Sequence, residues 1–224
     1  MDSGWSAHRY LAARVRFGIK FGLDSMQALL GELGHPEQAW PCLLVAGTNG
    51  KGSVCAYAAA ALQASGLRTG LYTSPHLVRV HERIVVDGRP LSERALQSAV
   101  RAVRDAAQRL VARGRLAAHP TYFEVLTAAA CVHFRRARVE VAVLEVGLGG
   151  RLDATNACQP LASAVVTIDY DHQAWLGQTL PAIAREKAGV LRPGRTTVLG
   201  PLPAPARRAI EARARATGAR LVRA

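Results

Sequence analysis

The chain has 224 residues and carries 29 Lys and Arg against 16 Asp and Glu, a formal net charge of +13. That length gives one large domain or two small ones with enough apolar content for a core, and no charge-free apolar run reaches the ~18 residues of a membrane-spanning helix. The arginines lie in alanine-rich helical stretches (Arg101–Arg115, Arg207–Arg215) with no interleaved aromatics, which predicts solvated helix faces, no nucleic-acid partner and a field suited to small anions.

In chain order, Met1–Trp5 lacks the basic-then-apolar pattern of a secretory signal. Residues Ala7–Leu33 read as helical with a break at Phe17–Gly22, and Cys42–Ala46 as a first strand. A glycine-rich turn opens an alanine-rich helix near Val54–Ala64, which Gly66 stops before a strand at Thr69–Thr73. Asp87-Gly88 marks a hairpin turn, and Ser92 with Glu93 starts a helix running to Ala112. Thr121–Arg136 reads as helix, and Val139–Val146 as a strand buried on both faces. A strand at Ala162–Ile168, a helix ending near Lys187, a strand at Thr196–Leu199, a helix at Ala206–Thr217 and a final apolar pair, Leu221-Val222, follow. Strands alternating with helices predict an α/β fold with a mostly parallel sheet flanked by helices. Cys42, Cys55, Cys131 and Cys158 form no C-x-x-C pair and read as reduced core residues of a cytoplasmic protein without zinc, and a monomer is expected.

The richest stretch is Gly47-Thr48-Asn49-Gly50-Lys51-Gly52-Ser53, between a strand and a helix. That order aims backbone N–H groups and the positive helix end at a phosphate chain, with Lys51 in reach of the outer phosphates and the Ser53 hydroxyl near a metal ion. The spelling departs from G-x-x-x-x-G-K-[ST] at Val45 and Gly52.

Other polar groups also follow strands, where open α/β sheets bind ligands: Ser74-Pro75-His76, Glu145–Asp153 and Asp169–His172. Glu145 closes a buried strand, so its carboxylate requires a partner, either an arginine such as Arg151 or a bound cation. Lys187 ends a helix, where a cation also answers the helix dipole.

Five blocks in order carry a resemblance: Gly47–Ser53, Thr73–Leu77, Leu144–Asn156, Asp171-His172 with Trp175-Leu176-Gly177, and Glu186–Gly189. Together they resemble the folylpolyglutamate synthase and dihydrofolate synthase family, a branch of the Mur ligases, from about Phe17 onward. The resemblance implies a P-loop-type Mur ligase central domain and ATP- and Mg²⁺-dependent ligation of L-glutamate to dihydropteroate and reduced folates through an acyl phosphate. It implies ATP binding by Thr48, Asn49, Gly50, Lys51, Gly52 and Ser53, with Lys51 and Lys187 catalytic. Metal ligands would be Ser74, Glu145, His172 and, once carbamylated, Lys187. The pterin substrate would meet Ile19, Lys20 and Phe21, Thr121, Tyr122, Phe123 and Glu124, and Leu152, Asp153 and Ala154, with Phe123 stacking on the ring and Asp153 accepting from its nitrogens. Family members run about twice as long. Residues 1–224 are therefore expected to be an incomplete ATP-binding domain without the glutamate-binding domain, poor in turnover. The alternatives are a nucleotide-binding module that does not catalyse, or a cell-wall Mur ligase.

Overall fold

The computed structural model describes residues 4–18 and 22–224. Helix α1 (Ala7–Ala12) starts at Ser6, whose hydroxyl accepts from the Arg9 amide. After a 3-10 turn at Val15–Phe17 comes α2 (Asp24–Glu32) and then strand β1 (Cys42–Ala46). Helix α3 (Lys51–Ala64) begins directly at the lysine, one turn earlier than composition suggests, because Gly50 takes a left-handed conformation (φ 77°) and turns the chain into it. Strand β2 (Thr69–Tyr72) leads through a 3-10 turn at Val80–Arg83 into β3 (Ile84–Val86) and β4 (Arg89–Pro90). The expected hairpin is there, with Asp87 and Gly88 both at positive φ.

Helix α4 (Glu93–Ala112) is capped by Ser92, and α5 (Tyr122–Arg136) by a capping box in which Thr121 and Glu124 satisfy each other's amides. Strand β5 (Val141–Glu145) is buried at every position. Then follow β6 (Pro160–Val165), α6 (Gln173–Leu176), α7 (Leu180–Lys187), β7 (Thr196–Leu199), α8 (Ala204–Thr217) and β8 (Arg220–Arg223). Strand β5 starts two residues later and ends one earlier than its expected run, while β6 starts two residues earlier and ends three earlier, where the chain turns into the loop described below.

The sheet has the order β4-β3-β2-β5-β1-β6-β7-β8. Strands β2, β5, β1, β6, β7 and β8 run parallel, and the β2–β3 and β3–β4 pairings at one edge are antiparallel. Alternation along β1 sorts the core onto two faces: Leu43 and Val45 meet α3 residues such as Cys55 and Ala59, while Cys42, Leu44 and Ala46 join the larger cluster with α5, α7 and α8. All four cysteines are free and buried. Among the described residues no helix is long and apolar enough to cross a membrane.

Candidate active site at the carboxyl ends of the strands

Because β1, β2, β5 and β6 are parallel, the four polar segments foreseen in the sequence leave the sheet on one edge. The loop after β1 is tied to the loop after β6. The Thr48 amide donates to the Thr167 carbonyl at 2.9 Å, and the Asn49 amide to Thr167 Oγ1 at 2.9 Å. Thr48 Oγ1 accepts from the Asp169 amide at 3.0 Å. These bonds hold the Gly47–Ser53 backbone at the start of α3, with Asn49 and Ser53 at the surface.

Two ammonium groups converge on this loop. Lys51 Nζ donates to the Thr48 carbonyl at 2.9 Å, and Lys187 Nζ to the Gly47 carbonyl at 2.8 Å. Lys187 is only 3% exposed, and burial together with repulsion from Lys51 lowers its pKa to about 8. Close backbone approaches place it: a Cβ on Gly150 would stand 2.7 Å from the Lys187 carbonyl, and one on Gly189 would stand 2.2 Å from Arg151 Cα.

Glu145 closes β5 and is buried. Its Oε2 accepts from the Ser74 amide at 2.9 Å, and burial pushes its carboxyl above the usual range against that bond and the pull of Lys51 and Arg83. Arg151 does not pair with it, because Arg151 faces Glu186 at 3.0 Å on the loop's other side. His172, in a left-handed conformation before α6, lies half exposed with Asp171 at 3.6 Å.

Beside these groups lies a cavity of about 390 Å³. Lys51, Ser74 and His172 stand on its wall with Thr121, Phe123, Glu124, Leu152, Asp153 and Ala154. Phe123 fills the space over Gly147, where a Cβ would fall 2.6 Å from the ring. Tyr122 turns instead toward a second hollow near His76 and His81. Ile19, Lys20 and Phe21 lie outside the described residues, although the flanking Gly18 and Gly22 line the cavity.

Asp153 stands on the cavity wall and also has partners within its own loop. Its Oδ1 accepts from the Thr155 amide (3.0 Å) and hydroxyl (2.6 Å), and its Oδ2 from the Leu148 amide (2.9 Å), so it braces its own loop. Beside it, Glu124 Oε2 accepts from the Thr121 amide at 2.7 Å, while Oε1 is buried without a hydrogen-bond partner among the described residues.

The chain is 43% identical over 195 residues to the folylpolyglutamate synthase of Lacticaseibacillus casei, covering 87% of this chain and 45% of that protein. A solved structure of E. coli FolC in complex with DHPP and ADP superposes with a TM-score of 0.89 at 35% identity, over 100% of this chain and 52% of that one. A bifunctional folylpolyglutamate synthase/dihydrofolate synthase solved with Mn, AMPPNP and L-glutamate gives 0.87 at 36% identity, again over 100% and 52%. Over this stretch the chain belongs to the folylpolyglutamate synthase/dihydrofolate synthase family. It spans about half the length of these relatives. No family model matches the chain.

The donor set of this family member fits a hard divalent cation. Glu145 presents a carboxylate whose Oε1 takes no hydrogen bond among the described residues, and Ser74 adds a hydroxyl on the cavity wall. Arg83, which sequence reasoning passed over, lines the same cavity and is 9% exposed. No signal in the sequence singled it out, since it follows the polar pair His81-Glu82 and only then meets the apolar Ile84-Val85-Val86.

Proposed function

We propose that residues 1–224 form the ATP-binding domain of a cytoplasmic, monomeric ligase that joins L-glutamate to dihydropteroate and to reduced folates. The observation that carries this reading is the convergence of the Lys51 loop, buried Glu145 and buried Lys187 beside a cavity walled by Phe123. Thr48–Ser53 would receive the phosphates on backbone N–H groups at the start of α3, with Lys51 leaving the Thr48 carbonyl to neutralise their outer oxygens. Ser74, Glu145 and His172 would hold the Mg²⁺, which supplies charge neutralisation on the phosphates.

A substrate carboxylate oxygen bonds to the γ-phosphorus while the bond from that phosphorus to the bridging oxygen breaks, and the electron pair leaves on ADP. The glutamate amine then bonds to the acyl carbon, loses a proton and expels phosphate. The chain's share of this work is positioning and electrostatic stabilisation. Lys187, with a pKa of about 8, keeps a fraction of neutral amine that can add CO₂ with loss of a proton, giving a carboxylate for a second Mg²⁺. Phe123 offers a ring face to the pterin, and Asp153, with Glu124 beside it on the same wall, offers acceptor oxygens to its N–H groups. Four buried free thiols suit a reducing compartment.

The test is phosphate release from ATP with dihydropteroate and glutamate omitted in turn. Release that requires both supports the ligase. Hydrolysis indifferent to both would overturn it, and tight nucleotide binding with no release would favour a binding module.

A further inference from the structure

Arg83 is a buried guanidinium that forms no ion pair among the described residues. It sits at the end of the 3-10 turn Val80–Arg83, and the turn is fixed from both sides. The Thr73 amide donates to the Arg83 carbonyl at 3.0 Å, which locks the turn next to Ser74. The Glu82 carboxylate gathers the Leu77, Val78 and Arg79 amides at 2.8, 3.1 and 2.7 Å, which holds the preceding loop.

The side chain is equally well placed. Its Nε donates to His76 Nδ1 at 2.8 Å, and its guanidinium carbon stands 5.4 Å from the centre of the Tyr122 ring. These contacts orient the plane and use one of five N–H donors. Among the described residues no carboxylate forms an ion pair with it. Burying a guanidinium in this way is costly unless an anion completes it. The side chain lines the cavity that also holds Lys51, Ser74 and Phe123, and its field reaches Glu145.

We infer that Arg83 is the binding residue for the reacting carboxylate of the pterin-bearing substrate. The planar fork of its two terminal nitrogens matches a carboxylate in two parallel hydrogen bonds. Set against the ring site at Phe123 on the same wall, it orients an aromatic acid with the carboxylate toward Lys51 and the phosphate loop. His76, which accepts from Nε, is a positioning residue for it. The ligand class this selects is a flat heteroaromatic carrying an anionic carboxylate, as distinct from the corresponding amide or ester. The inference rests on the ligase reading above and names the group that reading left unassigned.

The test compares dihydropteroate with its carboxamide by calorimetric titration, in the presence of Mg²⁺ and a non-hydrolysable ATP analogue, for the unmodified protein and for Arg83→Met. The unmodified protein should favour the carboxylate by about 10- to 100-fold. Arg83→Met should erase that preference by weakening only the carboxylate form, with carboxamide and nucleotide affinities unchanged within about twofold. A purely structural arginine would weaken both forms together, and that result, or a preserved preference in Arg83→Met, overturns the inference. If Arg83→Met does not fold, Arg83→Lys carries the test: it keeps the charge and loses the fork, so the preference should fall without vanishing, and a full preference is contrary. Failure of the unmodified protein to bind the nucleotide analogue would instead remove the ligase reading itself.

Discussion

Lys187 shows how one position can be made chemically unusual by its neighbours. Its ammonium is buried against the Gly47 carbonyl and faces Lys51, so its pKa falls to about 8 from the ordinary lysine value near ~10.4. Folding therefore releases a proton over the interval between those values, because the unfolded chain still binds it. Stability must rise as pH increases through that window, and below about 8 the cost of the buried charge is fully present. Melting curves between pH 7 and 10.5 should show this rise in the unmodified protein and a flatter course in Lys187→Met. Parallel curves would mean that the burial of Lys187 is not felt as charge. The same arrangement separates the roles of two carboxylates that look alike in sequence. Asp153 takes three donors from its own loop, whereas Glu145 takes one amide bond, on Oε2.

At the scale of elements, the site depends on how closely the loop after β5 approaches the end of α7. Gly150 and Gly189 permit that approach because neither carries a Cβ, and Arg151 is then tied to Glu186 across the same gap. Gly189→Ala would drive a methyl into the Arg151 backbone. The expected destabilisation is about 3 kcal/mol, read from the urea midpoint, with loss of the Lys187 placement. A change below about 0.5 kcal/mol would show that the loop and helix can separate freely. Much of this scaffold was legible in the sequence. The apolar runs announced β1, β5 and β7, the Asp87-Gly88 pair fixed the hairpin, and Ser92 and Thr121 marked the starts of α4 and α5. What was hidden were partnerships made by tertiary contact. Arg151 goes to Glu186 and not to Glu145, and Arg83 enters the cavity only because its turn folds back onto Thr73. No spacing rule reports either, since the partners lie on different elements.

For the whole molecule, parallel strand order is what turns scattered motifs into one site. Loops separated by as many as 121 residues, such as Thr48 and Asp169, become hydrogen-bonded neighbours on a single edge of the sheet. The Gly47–Ser53 loop, Ser74 with Glu145 and the cavity then adjoin, as the proposed order of nucleotide activation followed by carboxylate attack would require. The net charge of +13 is consistent with this role through its field on anionic ligands, without any nucleic-acid surface being needed. The central claim is that Lys51 and its loop hold a nucleoside triphosphate. Calorimetric titration of a non-hydrolysable ATP analogue with Mg²⁺ into the unmodified protein and Lys51→Ala tests it most directly. The account predicts affinity at least about tenfold weaker in Lys51→Ala with an unchanged melting temperature; equal affinity in the two proteins would contradict it.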